Sequence, residues 1–192
     1  MKLSCILIAA GLVLAPASLA AQNAAAESDS EALRISATAE PACVVSQPVA
    51  TGGTNAVFST DGPGGGTIAI TQLVDPQTAE PRASAVELAL PVICNAAHRV
   101  VVESVDGGLQ RAGGQRGLKL SRDGFGDMLP YTIEFDWGEV QRSGSSEGAP
   151  YVSEQGATRG ELRVRVTTEA GGGFLTAGNY SDNLTIRFEP AS

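Results

Sequence analysis

The stretch AGNYSDNLTIRF, Ala177–Phe188, decides the fold of this chain. It begins with turn-forming residues and continues into a segment in which Leu184, Ile186 and Phe188 alternate with other, mostly polar, residues. A period of two with one apolar side is typical of a β-strand that packs one face against a hydrophobic core. The sequence therefore predicts a half-buried strand near the end of the chain.

A second alternating segment, residues 32–39, stands ahead of the main body of the chain, and Pro41 separates it from the residues that follow. From the pattern alone, two interpretations are open. The segment is either the first strand of a complete domain or a strand that completes the sheet of a second molecule. Its apolar side consists of Leu33, Ile35, Ala37 and Ala39.

The beginning of the chain has the features of a secretory signal peptide. A positively charged start precedes the apolar run Ile6–Leu14, and small residues follow at Ala17–Ala21. The apolar run is too short to span a bilayer. We therefore expect residues 1–20 to be a signal peptide, residues 21–40 to form a disordered leader that includes the alternating segment, and residues 41–192 to form the folded domain.

Removal of the signal peptide takes away Cys5 and leaves Cys43 and Cys94. An even pair of cysteines in an exported chain indicates a disulfide. The alternatives are two buried thiols or a pair of metal ligands, but two cysteines without clustered histidines cannot complete a zinc shell. A bridge that closes a loop of about fifty residues contributes roughly 4 kcal/mol in the chain-entropy treatment. We predict no metal and no cofactor.

Short alternating segments separated by glycine- and proline-rich turns fill the rest of the chain, and none has a convincing helical period. Val86–Cys94 is one such segment, and Pro91 within it indicates an edge strand or a bulge. This pattern predicts an all-β protein built as an antiparallel sandwich, and it argues against alternating strands and helices.

Composition and motifs argue against several functions. The formal net charge of −8 disfavours binding to nucleic acids, which requires clustered lysines and arginines. His98 is the only histidine and lies among turn-forming residues, so we predict no enzyme. Ser121–Asp127 has some features of a calcium loop but lacks the glutamate that ends such loops, and a turn is the better interpretation.

The order of these features resembles the spore coat protein U domain family, which comprises subunits of archaic chaperone–usher pili. The strongest match is the ending AGNYSDNLTIRF, and Gln141–Gln155 departs from the family as a polar insertion. The other matching stretches are LRISATAEPACVVS (Leu33–Ser46), LPVICNAAHRVVVES (Leu90–Ser104) and LPYTIEFD (Leu129–Asp136).

The resemblance implies an incomplete immunoglobulin-like β-sandwich of the pilin type, with an N-terminal donor strand. Such a domain lacks its final strand, so an apolar groove stays open until a strand from another chain fills it. The donor strand would present Leu33, Ile35, Ala37 and Ala39. The acceptor groove would include Val44, Val45, Leu184, Ile186 and Phe188.

In function, the resemblance implies a structural pilus subunit that polymerises by donor-strand exchange and supports surface adhesion or biofilm formation. Its partners would be a periplasmic chaperone, an outer-membrane usher and neighbouring pilus subunits. It would be exported through the periplasm to a cell-surface fimbrium. The alternative is a self-complete monomeric β-sandwich, periplasmic or secreted, that binds a ligand or partner.

Overall fold

A computed structural model of the chain describes residues 34–62 and 64–191. The chain divides into two units, residues 1–38 and 39–192, and the second contains the strands given below. The expected signal peptide and Leu33 lie outside the described residues. No helix within the described ranges has the length and hydrophobicity needed to cross a membrane.

The described residues form strands connected by turns and loops. In chain order they are β1 (Cys43–Val45), β2 (Val49–Thr54), β3 (Ala56–Gly62), β4 (Gly65–Ile70), β5 (Ser84–Cys94), β6 (His98–Ser104), β7 (Leu109–Arg111), β8 (Phe125–Gly126), β9 (Met128–Leu129), β10 (Thr132–Trp137), β11 (Val140–Ser145), β12 (Tyr151–Gln155), β13 (Thr158–Thr168), β14 (Phe174–Leu175), β15 (Tyr180–Ser181) and β16 (Leu184–Pro190).

Two antiparallel sheets build the sandwich. The larger has the order β11–β10–β13–β5, and β1 and β2 both pair with the far edge of β5. The smaller has the order β12–β6–β16. Shorter sheets, β3–β4, β15–β7–β9 and the parallel pair β14–β8, extend from this frame. The prediction of an all-β, immunoglobulin-like sandwich is confirmed.

The hydrophobic core lies between the inner faces of these two sheets. Alternate residues of β5 and β13 point inward, as the period of two requires. Their pairing runs over eleven residues of each strand, from Ser84↔Thr168 to Cys94↔Thr158. The core residues with the lowest exposure include Val86, Val92, Val100, Val102, Ile133, Trp137, Leu162 and Val164.

A buried hydrogen bond joins the two sheets at one end of the core. Trp137 at the end of β10 donates its indole N–H to Nε2 of His98 at the start of β6, with 2.9 Å between the nitrogens. Since Nε2 accepts, Nδ1 carries the proton and donates to the Ala96 carbonyl at 3.1 Å. The single histidine is therefore a structural group with both ring nitrogens engaged in hydrogen bonds.

Cys43 and Cys94 form a disulfide, the pair that the sequence predicts. They face each other directly in the register of β1 and β5. The nearby Pro91 does not lie in an edge strand, so that prediction is wrong: β5 is central, with β13 on one side and β1 and β2 on the other. Proline has no backbone N–H to donate. Pro91 is accommodated because it lies opposite the break between β1 and β2, where no partner strand requires that hydrogen bond.

The polar segment Gln141–Gln155 is not a simple insertion. It contains most of β11 and all of β12, which are edge strands of the larger and the smaller sheet. The chain thus crosses from one sheet to the other on this side of the sandwich. Few of its residues are buried, because edge strands expose most of their side chains, and its sequence therefore reads as polar.

Within the segment Ser121–Asp127, the first four residues form a turn, as predicted, and Phe125–Gly126 is strand β8. Asp127, which follows β8, is buried beside Arg111. The guanidinium Nε lies 2.6 Å from one carboxylate oxygen, and the Gln115 backbone N–H donates to the other at 2.6 Å. The hydrogen bond from Arg111, helped by that from Gln115, lowers the pKa of Asp127 to about 2. This ion pair connects the end of β7 to the residue between β8 and β9.

We expect the double substitution Cys43→Ser, Cys94→Ser to destabilise the domain by about 4 kcal/mol, because the unfolded chain regains the entropy of an open loop of about fifty residues. Thermal melts of the oxidised protein and the variant measure this effect. Ser46→Ala, at an exposed position directly after β1, is the control and should leave the melt nearly unchanged. Equal melting of all three proteins, or two titratable thiols in the native protein, would contradict the structural role of the bridge.

Asp127→Asn is expected to lower the melting temperature at neutral pH and to weaken its dependence on pH. The pKa of Asp127 is lowered on folding, from 3.8 to about 2, so its contribution is present above pH 4 and is lost as the pH falls towards 2. Melts between pH 2 and 7 test this. Asp123→Asn, at an exposed acid in the turn before β8, is the control; the same pH profile for both variants would refute the assignment.

Candidate functional site

On one side of the sandwich, no strand of the described residues lies between the edges of the two sheets. Strand β16 pairs with β6 on one side only, and within the described residues no strand occupies its other edge. The corresponding edge of the larger sheet is formed by β1 and β2. An opening therefore runs between β16 and these two short strands.

The backbone of β16 presents hydrogen-bonding groups to this opening. At its two ends, the Val105 N–H donates to the Asn183 carbonyl at 2.9 Å, and the Ala191 N–H donates to the Ala97 carbonyl at 3.0 Å. Odd-numbered residues of β16 thus direct their peptide groups towards β6. Because these directions alternate along an antiparallel strand, the peptide groups of Leu184, Ile186 and Phe188 point to the open edge.

Below this edge lies an apolar groove with a volume of about 450 Å³. Its floor is the inner face of the larger sheet, and the side chains of β16 form one wall. The main apolar lining residues are Val45, Phe58, Ile68, Val86, Leu88, Leu90, Val164, Val166, Leu184, Ile186 and Phe188.

The hairpin β3–β4 contributes to the groove from the side of β2. Phe58 and Ile68 are cross-strand neighbours in this hairpin, and both pack against the core. Gly66 makes the packing of Phe58 possible, because a Cβ at this position would lie only 2.3 Å from the phenyl ring. The glycine-rich turn and the hairpin therefore belong to the groove and are not a separate surface loop.

The two ends of the groove differ in chemistry. Near Leu184, the Tyr131 hydroxyl donates to the Asp182 carboxylate at 2.8 Å, and burial raises the pKa of Tyr131 well above its usual value. At the other end, the phenyl ring of Phe188 and the indole ring of Trp137 pack edge to face, with 5.9 Å between their centroids. The groove thus runs from a polar end to an aromatic end.

Four of the five residues predicted for the acceptor groove line this cavity: Val45, Leu184, Ile186 and Phe188. Val44 does not. It is 62% exposed and lies opposite Ile93, which is 59% exposed, on the outer face of the larger sheet. Its side chain points away from the groove because consecutive residues of a strand point to opposite faces.

Residues 34–42, which include most of the predicted donor segment, belong to no strand of the described chain. Ile35 is 89% exposed, and Ala37 and Ala39 are also exposed. The described residues of this segment therefore form no internal strand of the sandwich. Its role as a donor stays a prediction.

Several groove residues were not singled out from the sequence. The alternation in Val86–Cys94 and in Glu161–Thr167 was visible, but the pattern does not tell which core positions lie beneath the opening. Phe58 and Ile68 lie in short segments on either side of a glycine-rich turn. Phe58 and Ile68 lie at nearly equal distances along the chain from that turn, and this spacing was the available signal for a hairpin.

The site offers no arrangement of groups for catalysis among the described residues. Gly144–Gly148 has the GxSxG spacing of a nucleophile elbow, but Ser146 is buried, donates to the Gly107 carbonyl at 2.9 Å and accepts from the Tyr131 N–H at 3.0 Å. His98 is engaged by Trp137. What the groove can do is bind an extended apolar chain along an open sheet edge.

Comparison with known proteins agrees with this geometry. Residues 29–187 match the family described as Spore Coat Protein U domain. No curated protein and no solved structure matches the chain. The match covers the disulfide, the groove except Phe188 and both main sheets except the end of β16, and the chain therefore belongs to the Spore Coat Protein U domain family.

Proposed function

We propose that this protein is a structural subunit of a chaperone–usher pilus that polymerises by donor-strand exchange. The observation that carries the proposal is the open edge of β16 above an apolar groove, in a chain whose residues 34–42 form no strand of their own. The family, one of structural, pilin-like domains, supports a subunit of this type. The disulfide fits an exported protein.

The donor is the segment 32–39 of a neighbouring subunit. Its alternate residues Leu33, Ile35, Ala37 and Ala39 enter the groove, and its peptide groups pair with the open edge of β16. A periplasmic chaperone supplies a strand before assembly, and an outer-membrane usher is the site of exchange. The resulting fibre is a cell-surface fimbrium that supports adhesion or biofilm formation.

The energetics favour a strand with apolar residues on one side only. Burial of Ile35 contributes about 1.5–3 kcal/mol, and each new backbone hydrogen bond contributes about 0.5–1.5 kcal/mol net. Ordering the leader costs about 1–2 kcal/mol per residue. These three contributions are similar in size, so neither the backbone hydrogen bonds nor the buried side chains alone offset the cost of ordering the leader. The fit of the donor side chains in the groove therefore decides whether the strand binds.

Ile35→Asp is expected to abolish polymerisation, because it places a carboxylate in an apolar groove. The measurement is an unboiled SDS gel, on which a polymer runs as a ladder that collapses to monomer on boiling. Ser36→Asp is the matched control, since Ser36 lies on the opposite side of the donor strand and its variant should keep the ladder. An unchanged ladder for Ile35→Asp would sink the donor assignment.

A complementation experiment tests donor and groove together. Ile186→Asp should block the groove but leave the donor intact, whereas Ile35→Asp does the converse. Each variant alone should remain monomeric, and an equimolar mixture should stop at a heterodimer, measured by size-exclusion chromatography with light scattering. Circular dichroism establishes that both variants are folded. Monomers in every sample, including the unsubstituted protein, would favour the self-complete binding protein instead.

A further inference from the structure

Hydrogen bonds from the sandwich hold the residues that connect it to the predicted donor segment. The connection is short: Ala39 ends the donor segment and Cys43 begins β1, so that Glu40, Pro41 and Ala42 are the whole link. Such a link spans at most about 10 Å. Any orientation between a donor segment and its own domain is set within these three residues.

Asn95, in the turn between β5 and β6, binds both ends of this link. Its side-chain Nδ2 donates to the Glu40 carbonyl at 2.9 Å, and its Oδ1 accepts from the Ala42 N–H at 2.7 Å. Its own backbone N–H donates to the Ala42 carbonyl at 3.1 Å. One asparagine thus satisfies three backbone groups of a three-residue segment.

Covalent restraints complete the arrangement. The ring of Pro41 fixes its own φ angle and restricts Glu40 to extended conformations. On the other side, Cys43 follows Ala42 directly and is bonded to Cys94, the residue before Asn95. The link is therefore restrained by a proline ring inside it, a disulfide at its end and the amide of Asn95 across it.

We propose that Asn95 is a positioning residue that fixes the direction in which the donor segment leaves its domain, and so sets the angle and stiffness of the joint between consecutive subunits of the fibre. This inference rests on the proposed function, because the partner is a second copy of this chain whose groove holds the donor segment. A donor strand held in the groove of one subunit and a clamped link on the other leave few rotatable bonds between two rigid domains.

Without the hydrogen bonds from Asn95, the chain would rotate freely about the backbone bonds of Glu40 and Ala42. Consecutive subunits would then be connected by a flexible hinge, and the fibre would bend at every joint. We call the hydrogen bonds of Asn95 to Glu40 and Ala42 the clamp. With the clamp in place, the chain can bend only at the few torsion angles of the link that Pro41 and the Asn95 side chain leave unrestrained. The clamp thus acts on the shape of the fibre and not on the strength of the donor–groove contact.

The first test uses the full chain carrying Ile35→Asp, which stays monomeric under the proposed function and leaves the clamp intact. In this background, Asn95→Ala should accelerate hydrogen exchange at the Ala42 amide by about fivefold, as the loss of one ordinary net hydrogen bond would. Asn95→Asp keeps the acceptor for Ala42 but loses the donor to Glu40, so its exchange at Ala42 should stay near that of the parent. Asn179→Ala, at an exposed asparagine in another loop, is the control.

The second test examines fibres of the otherwise unsubstituted chain by negative-stain electron microscopy. Asn95→Ala and Asn95→Asp should both broaden the distribution of angles between consecutive subunits and shorten the persistence length, since both lose the bond to Glu40. Thermal melting and the ladder on unboiled gels should change little, because the disulfide and the groove are untouched. A residue with a merely structural role would lower the melting temperature without changing the angles.

The two tests separate the inference from the function on which it rests. Fibres with unchanged angles for both Asn95 variants would overturn the clamp and leave donor-strand exchange standing. An unchanged exchange rate at Ala42 in the Asn95→Ala monomer would overturn the clamp in the same way. If no fibre forms from the unsubstituted chain, the proposed function fails, and the joint between subunits fails with it, whatever the exchange rates are.

Discussion

The unfilled edge of β16 is the constraint on which the rest of this structure depends. Leu184, Ile186 and Phe188 direct their side chains into the groove and their peptide groups to the open edge, so the same residues demand two kinds of partner. Apolar side chains require burial, and backbone groups require hydrogen bonds. An extended strand with one apolar face satisfies both demands at once, whereas a small ligand or a flat protein surface satisfies only one.

The sandwich can tolerate this opening because its remaining contacts hold the two sheets in place. The pairing of β5 with β13 supplies a rigid floor, and the bond between Trp137 and His98 connects β10 to β6 across the core. On the side away from the groove, the passage from β11 to β12 joins the edges of the two sheets. The disulfide holds β1, which pairs over only three residues, against β5. A groove wall this short would otherwise detach easily.

Features with a local signal could be predicted from the sequence. The alternation in β16, the pairing of the two cysteines and the all-β class all follow from spacing and composition. Features that depend on which strands become neighbours could not. Pro91 looked incompatible with a central strand, because nothing local reveals that its partner strand is interrupted there. Val44 was assigned to the groove together with Val45, although only one of two consecutive strand residues can face inward. The polar segment Gln141–Gln155 gave no sign of its two edge strands, because edge strands expose most of their side chains and their position at a sheet edge depends on which strands become neighbours.

The position of Trp137 gives the molecule an intrinsic optical probe. It is the only tryptophan of the chain, it is 1% exposed, and its ring contacts Phe188 at the aromatic end of the groove. A strand that enters the groove alters the polarity and packing around Phe188, and through it the environment of the indole. Under the proposed donor-strand exchange, we expect the emission of the unlabelled protein to change with groove occupancy, so that the kinetics of strand entry could be followed in real time without any dye or tag.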